Sequence, residues 1–204
     1  MIKIIPNAEE FFLATLERDM KMNGDDADLS ALKTKVSQRT LELVEHSFYS
    51  NISVSARTKA DFFLTDHQLV KGLRNLAQAR LETDNFFVPY GIQLLVGDLG
   101  AAPTDTLLAA EPYTDILTAG GNINSAEFTF TVNGGKIILK EASAGLFVTE
   151  PSAGAMYKGL HVLSVSRVMK PLQRIEAYLE TTQAMTTNLG ASLRLFGVMS
   201  RPKS

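Results

Sequence analysis

Three histidines, His46, His67 and His161, are the only imidazoles in the chain, and cysteine is absent. Any metal chemistry therefore falls to His, Asp and Glu, since thiolate ligands and disulfides are out of reach. No two histidines stand in H-x-H or H-x-x-x-H spacing, which would put two ligands on one strand or helix face. Glu42 and His46 are four apart and share a helix face, but two ligands do not complete a site. A metal enzyme on a β scaffold would need two or three histidines from adjacent strands, and only His161 lies in a segment that reads as strand. Asp25, Asp26 and Asp28 begin like a calcium loop. The downstream glycine and bidentate glutamate of an EF-hand do not follow, so the turn reads as a helix N-cap at Asp28 with a favourable dipole.

Other chemistries fail in the same way. Ala119-Gly120-Gly121-Asn122 and Asn133-Gly134-Gly135 do not sit between a strand and a helix, so they read as turns rather than phosphate loops. No serine lies in G-x-S-x-G. Glu176 and Glu180 share one strand face and point to water, whereas a glycosidase needs carboxylates across a cleft. The sequence thus states no catalytic residue, no cofactor-binding set and no metal site.

Charge is more informative. Net charge is −2, yet residues 1–50 hold six basic and nine acidic side chains, while residues 156–204 hold seven basic and two acidic. Arg167, Lys170, Arg174, Arg194, Arg201 and Lys203 form a candidate basic surface for nucleic acid or an acidic partner. The plainer reading is a set of spaced, solvated charges. Three aromatic doublets stand out: Phe11-Phe12, Phe62-Phe63 and Phe86-Phe87. Each places an aromatic on both faces of its element, so Phe11, Phe12, Phe63 and Phe87 are candidate interface residues. The alternative is that both faces are buried within one chain.

These residues need elements to hold them. Asn7 with Glu10 reads as a helix start, Phe12, Leu13, Leu16 and Met20 as its apolar stripe, and Asn23-Gly24 as its end. A second helix is expected from Leu29 to about His46, with Leu32, Val36, Leu43 and Val44 facing inward. Near Phe48 the period changes to two. Phe86, Val88, Tyr90, Ile92, Leu94 and Val96 alternate along one expected strand, whose Pro89 implies a sheet edge or a bulge. Phe128–Val132 and Lys136–Lys140 read as a hairpin. Gly145–Glu150 and Leu160–Met169 read as strands, Ile175–Glu180 as a strand with clean in/out alternation, and Ser192–Met199 as the last. Residues 61–80 read as a long connection and Leu99–Thr118 as a long loop.

Seven or eight strands without crossover helices favour an antiparallel β-sandwich, jelly-roll-like, over a parallel α/β sheet. The expected division is an N-terminal helical arm, residues 1–47, and a β-sandwich domain, residues 48–204. Met1–Asn7 is too short and mixed for a signal peptide, and no run suits a membrane helix.

The arm-plus-sandwich layout, the long loops and the opposite charge of the two ends resemble viral and phage coat proteins of the single jelly-roll kind. The stretch Val70-Lys71-Gly72-Leu73-Arg74-Asn75-Leu76-Ala77-Gln78-Ala79-Arg80-Leu81, running into Asn85-Phe86-Phe87-Val88, is similar to structural proteins of tailless phages. That resemblance implies a non-enzymatic capsid subunit, made in host cytoplasm and resident in the virion. Its partners would be further copies of itself, other virion proteins and, on the basic surface, nucleic acid. The second reading is a jelly-roll binding module, lectin-like or the receptor-binding head of a fibre, using loops Leu99–Thr118 and Thr149–Gly159 with Tyr113 and Tyr157 as a ligand rim. The third is an enzyme on a β scaffold.

Overall fold

A computed structural model describes residues 7–24, 26–116, 122–133, 136–148 and 158–203. Asp25, Gly120-Gly121, Gly134-Gly135, Glu150 and Tyr157, all used in the sequence reading, lie outside the described residues.

Two helices come first, α1 (Ala8–Asn23) and α2 (Ala27–Ser37). The Asn7 side chain caps α1 by accepting from the amides of Glu9 and Glu10, and Gly24 ends it with φ +75°. Asp26, not Asp28, is the N-cap of α2, accepting from Leu29 N–H at 3.3 Å.

The second helix also stops earlier than its pattern suggests. Thr40 N–H bonds back to Lys35 O and Arg39 N–H to Val36 O, a Schellman end with Arg39 at φ +56°. The chain then enters β1 (Leu41–Ser53), so residues 41–47 belong to the sheet.

Seven further strands follow: β2 (Lys59–Asp61), β3 (Phe86–Asp98), β4 (Glu127–Val132), β5 (Lys136–Ser143), β6 (Leu160–Val162), β7 (Ile175–Glu180) and β8 (Leu189–Pro202). They form two antiparallel sheets, ordered β1-β8-β3-β6 and β2-β7-β4-β5. Strand 1 pairs with 8, 2 with 7, 3 with 6 and 4 with 5, as when one long hairpin is rolled up; the connectivity is jelly-roll-like. Gly145–Phe147 is a turn of 3-10 helix rather than strand, β6 ends at Val162, and the Leu99–Thr118 loop contains a short helix, α3 (Asp105–Ala110).

The sheets bury one another around Phe48, Phe62, Phe87, Phe128, Phe130, Leu179 and Leu193. The strand β3 departs from its sequence pattern. Pro89 opposes Gly197 and Gly91 opposes Phe196, so Tyr90 is an extra residue, a β-bulge. One extra residue reverses which side chains face which way. Phe86, Val88 and Tyr90 therefore face a second apolar cluster with the helices, while Ile92, Leu94 and Val96 face the inter-sheet core. The six alternating residues are split three and three, and both faces of β3 are buried.

That second cluster joins Phe12 and Leu16 of α1 and Leu29, Leu32 and Val36 of α2 to Val88, Tyr90, Val168 and Val198. The helices are a third layer on the outer face of the β1-β8-β3-β6 sheet. At the other end of that face, α3 seats on Leu73 and Leu99 through Leu108. The paired glycines Gly97 and Gly190 allow this seating. A Cβ on Gly97 would lie 2.3 Å from Glu111 Cγ, and one on Gly190 3.0 Å from Leu108 Cδ2.

Candidate functional site

The outer face of the β1-β8-β3-β6 sheet carries both features that bear on function: a polar clasp and an open groove. The clasp is residues Ser166–Lys170. The Ser166 hydroxyl donates to Pro89 O at the bulge, and the Arg18 guanidinium donates to Ser166 O. Asp19, fully buried, accepts from Val168 N–H at 2.7 Å and Arg167 Nη1 at 3.1 Å. Lys170 Nζ reaches Asp26 at 2.6 Å and Asp28 at 3.1 Å. Burial would raise the Asp26 carboxyl, but hydrogen bonds from Lys170 and the Leu29 amide hold it below the ordinary aspartate value. Burial would lower Lys170, but the same two aspartates hold it above the usual lysine value.

This clasp changes what the charge asymmetry means. Of the six candidate basic residues, Arg167 pairs with Asp19, Lys170 with Asp26 and Asp28, Arg201 with Glu42 at 3.0 Å, and Arg174 with Glu176 at 3.2 Å. Three of these residues, Arg167, Lys170 and Arg201, pair the basic last quarter with the acidic first quarter within one chain. Arg194 and Lys203 remain exposed, with no ion pair among the described residues.

The aromatic candidates fall mostly inside. Phe12 (0% exposed), Phe63 (3%) and Phe87 (0%) are packed within the chain and present no face to a second copy. The Phe86-Phe87 doublet serves two internal layers, Phe87 in the inter-sheet core and Phe86 against the helices, whereas Phe62 and Phe63 share the inter-sheet core and Phe11 and Phe12 share the helix layer. Phe11 is half-buried, edge-on to Tyr90 at 6.2 Å.

The three histidines are placed separately. His46 meets the ring of Phe48 at 4.6 Å, His67 Nδ1 accepts from Leu64 N–H at 3.3 Å, and His161 lies edge-on to Phe147. Burial pushes all three below the ordinary histidine value; nearby Arg201 adds to this at His46, and Arg74 at His67. Among the described residues no three His, Asp or Glu side chains converge as a metal site. Glu176 is engaged with Arg174 and accepts from the Thr131 hydroxyl at 3.3 Å.

The groove lies between the two helical covers, about 370 Å³ in volume. Strand register builds its floor. Ser47 opposes Phe196, Tyr49 opposes Arg194, and Asn51 opposes Ser192, three adjacent pairs on one face. Ala109, Glu111 and Tyr113, from α3 and the residues after it, form one wall, and Gly72 another. The Tyr49 hydroxyl accepts from Gly72 N–H at 3.2 Å, and the Tyr113 hydroxyl donates to Leu108 O at 2.9 Å. The Asn51 amide donates to Gly72 O and Leu108 O, tying the walls to the floor. Burial and the neighbouring Asp98 carboxylate raise Glu111 above the ordinary glutamate value; burial and Glu111 in turn raise Tyr113. The sequence points to Arg194 and Tyr113 separately but not to the groove both line, because that groove is assembled from distant parts of the chain.

One edge of this sheet is also open. The outward groups of Ser47, Tyr49 and Asn51 are taken by residues 73–75, chiefly through the Asn75 side chain. By strand alternation the backbone groups of Leu41, Leu43 and Glu45 point the same way, and no described residue pairs with them. No helix among the described residues is long and apolar enough to cross a membrane. No protein-family model matches this chain, and no curated protein matches it.

Proposed function

We propose that this protein is a structural, self-assembling subunit, a capsid or coat component whose copies meet through sheet edges. The single observation that carries this reading is the open edge of β1. Monomeric β proteins blunt their edges with short strands, bulges or covers. Here β2 and β6 are three residues long and β5 is bulged, yet β1 is thirteen residues long and open over its first half. A strand of that kind is a template for a neighbouring chain. At the opposite edge, Val162 and Val165 are more than half exposed. Assembly into a shell repeats such contacts around symmetry axes. Residence in the virion, contact with other virion proteins and contact of Arg194 or Lys203 with a genome belong to the same proposal.

Light scattering after size-exclusion chromatography tests it, with Glu45→Pro as the probe. Proline at this outward-pointing amide leaves the β1–β8 ladder intact and removes one edge donor. The wild type is expected to form oligomers or particles visible by electron microscopy, and the variant smaller species. A wild-type monomer at high concentration across salt conditions refutes the reading. A binding module is the second reading, favoured by the walled groove around Arg194.

A further inference from the structure

The groove between the two helical covers holds more unused hydrogen-bonding capacity than a surface dimple needs. Arg194 is exposed at its centre, and among the described residues its guanidinium has neither an ion pair nor a hydrogen bond. Asn51, 8% exposed, spends both amide hydrogens on backbone carbonyls and leaves Oδ1 without a partner. Ser192, its neighbour across the strands, is fully buried with an unpartnered Oγ. An orphaned buried polar atom costs about 1–3 kcal/mol when unsatisfied; Asn51 lines the groove, while Ser192 opposite it is enclosed. The Tyr49 hydroxyl accepts from Gly72 and keeps its own hydrogen to donate. Glu111 supplies a carboxylate on the wall.

We propose that this groove binds an acidic saccharide, its carboxylate on Arg194 and its hydroxyls on Tyr49 and Glu111. Each group answers a chemical feature of that class. A guanidinium takes a carboxylate through two parallel hydrogen bonds. A sugar hydroxyl both donates and accepts, so it suits a site that mixes the Tyr49 donor with the Glu111 acceptor. The rings of Tyr113 and Phe196 offer apolar faces to sugar C–H groups. The volume, near the lower end for small-ligand pockets, suits one sugar ring rather than a chain of them. The inference stands apart from self-assembly, since the groove is complete within one chain.

The test is saturation-transfer NMR on the full chain with N-acetylneuraminic acid and methyl β-glucuronide. Methyl β-glucoside is the neutral control and acetate the bare carboxylate. At least one acidic sugar is expected to bind with Kd of about 1 mM or tighter, at least about tenfold more tightly than the neutral sugar or acetate. Arg194→Ala is expected to reduce binding to the level of the neutral control, and Tyr49→Phe to weaken it about fivefold. Absence of transfer from both acidic sugars overturns the proposal. Equal binding of the neutral sugar, equal binding of acetate, or an unaltered response in Arg194→Ala also overturns it. The comparison among ligands uses the unaltered chain, so it stands even if a variant misfolds. An Arg194→Ala effect on oligomer size with no effect on sugar binding would assign Arg194 to an interface and refute the site.

Discussion

Replacing Asp19 with alanine is expected to destabilise the whole fold, not just the N-terminal helices. The Asp19 carboxylate is fully buried and holds Val168 N–H at 2.7 Å and Arg167 at 3.1 Å. Alanine leaves the buried Val168 amide without an acceptor, which costs about 2 kcal/mol. Breaking a fully buried ion pair would add about 3–5 kcal/mol. The Arg167 side chain is 21% exposed, however, and water can take over part of its solvation, so about 1 kcal/mol is the better figure for its loss. The sum is about 3 kcal/mol. For a chain of this length each kcal/mol lowers Tm by about 2–4 °C, so Asp19→Ala should melt about 6–12 °C below the wild type. Asp19→Asn keeps an acceptor for Val168 and gives up the charge, so its loss should be near 1 kcal/mol, or about 2–4 °C. Calorimetry of the three proteins at one pH measures this, with limited proteolysis in parallel. Equal Tm values for Asp19→Ala and the wild type would refute the reasoning. So would new cleavage between α1 and α2 with an unshifted melt, because the helices would then be an independent arm rather than a layer of the fold.

Phe12→Ala empties a fully buried position between α1 and the sheet and should cost about 3–5 kcal/mol, read as a shift in the denaturant midpoint without a change in slope. Gly197→Ala places a Cβ 2.4 Å from Phe87 Cζ and 2.5 Å from Val88 O; an overpacking loss of about 1–3 kcal/mol is expected, and a neutral result would contradict the packing at the bulge. Lys170→Met should make stability less dependent on pH at both extremes. Asp26 is held below its ordinary value, so its contribution is present above about pH 4 and is lost as pH falls through the folded value. Lys170 is held above its ordinary value, so its contribution is present below about pH 10 and is lost as pH rises through the folded value. The wild-type advantage over Lys170→Met should therefore be flat between and shrink at each end; an advantage that grows on acidification would exclude this account.

The sandwich was legible because strand alternation is local. Ile175, Ala177 and Leu179 are buried while Glu180 faces water, as their spacing implied. Asn7 and Gly24 mark the first helix by their own chemistry. The end of α2 was not legible, for two reasons. Its Schellman turn uses Arg39 where glycine is the usual signal. Leu43 also stands seven residues after Val36, so one leucine satisfies both a helical stripe and the Leu41–Leu43 alternation; pairing with β8 decides between them. The Phe86–Val96 run hid its bulge because Val88, Tyr90, Ile92 and Leu94 keep period two straight through the inserted residue. The clasp had one readable sign. Asp19 is three residues after Leu16 and seven after Phe12, a carboxylate on an apolar stripe that had to find a partner. Its partners lie about 148 positions away, beyond the reach of any local pattern.

The first and last strands in chain order are direct neighbours, and the helices ahead of β1 are fastened by residues 166–170. During synthesis, then, β1 has no partner strand in its sheet until β8 is made. The β8-facing edge of β1 waits unpaired while the roughly 135 residues between Ser53 and Leu189 are made. Nascent chains crowded on one message would hold many such waiting strands near each other, a setting in which chaperone capture or early pairing between siblings decides the yield.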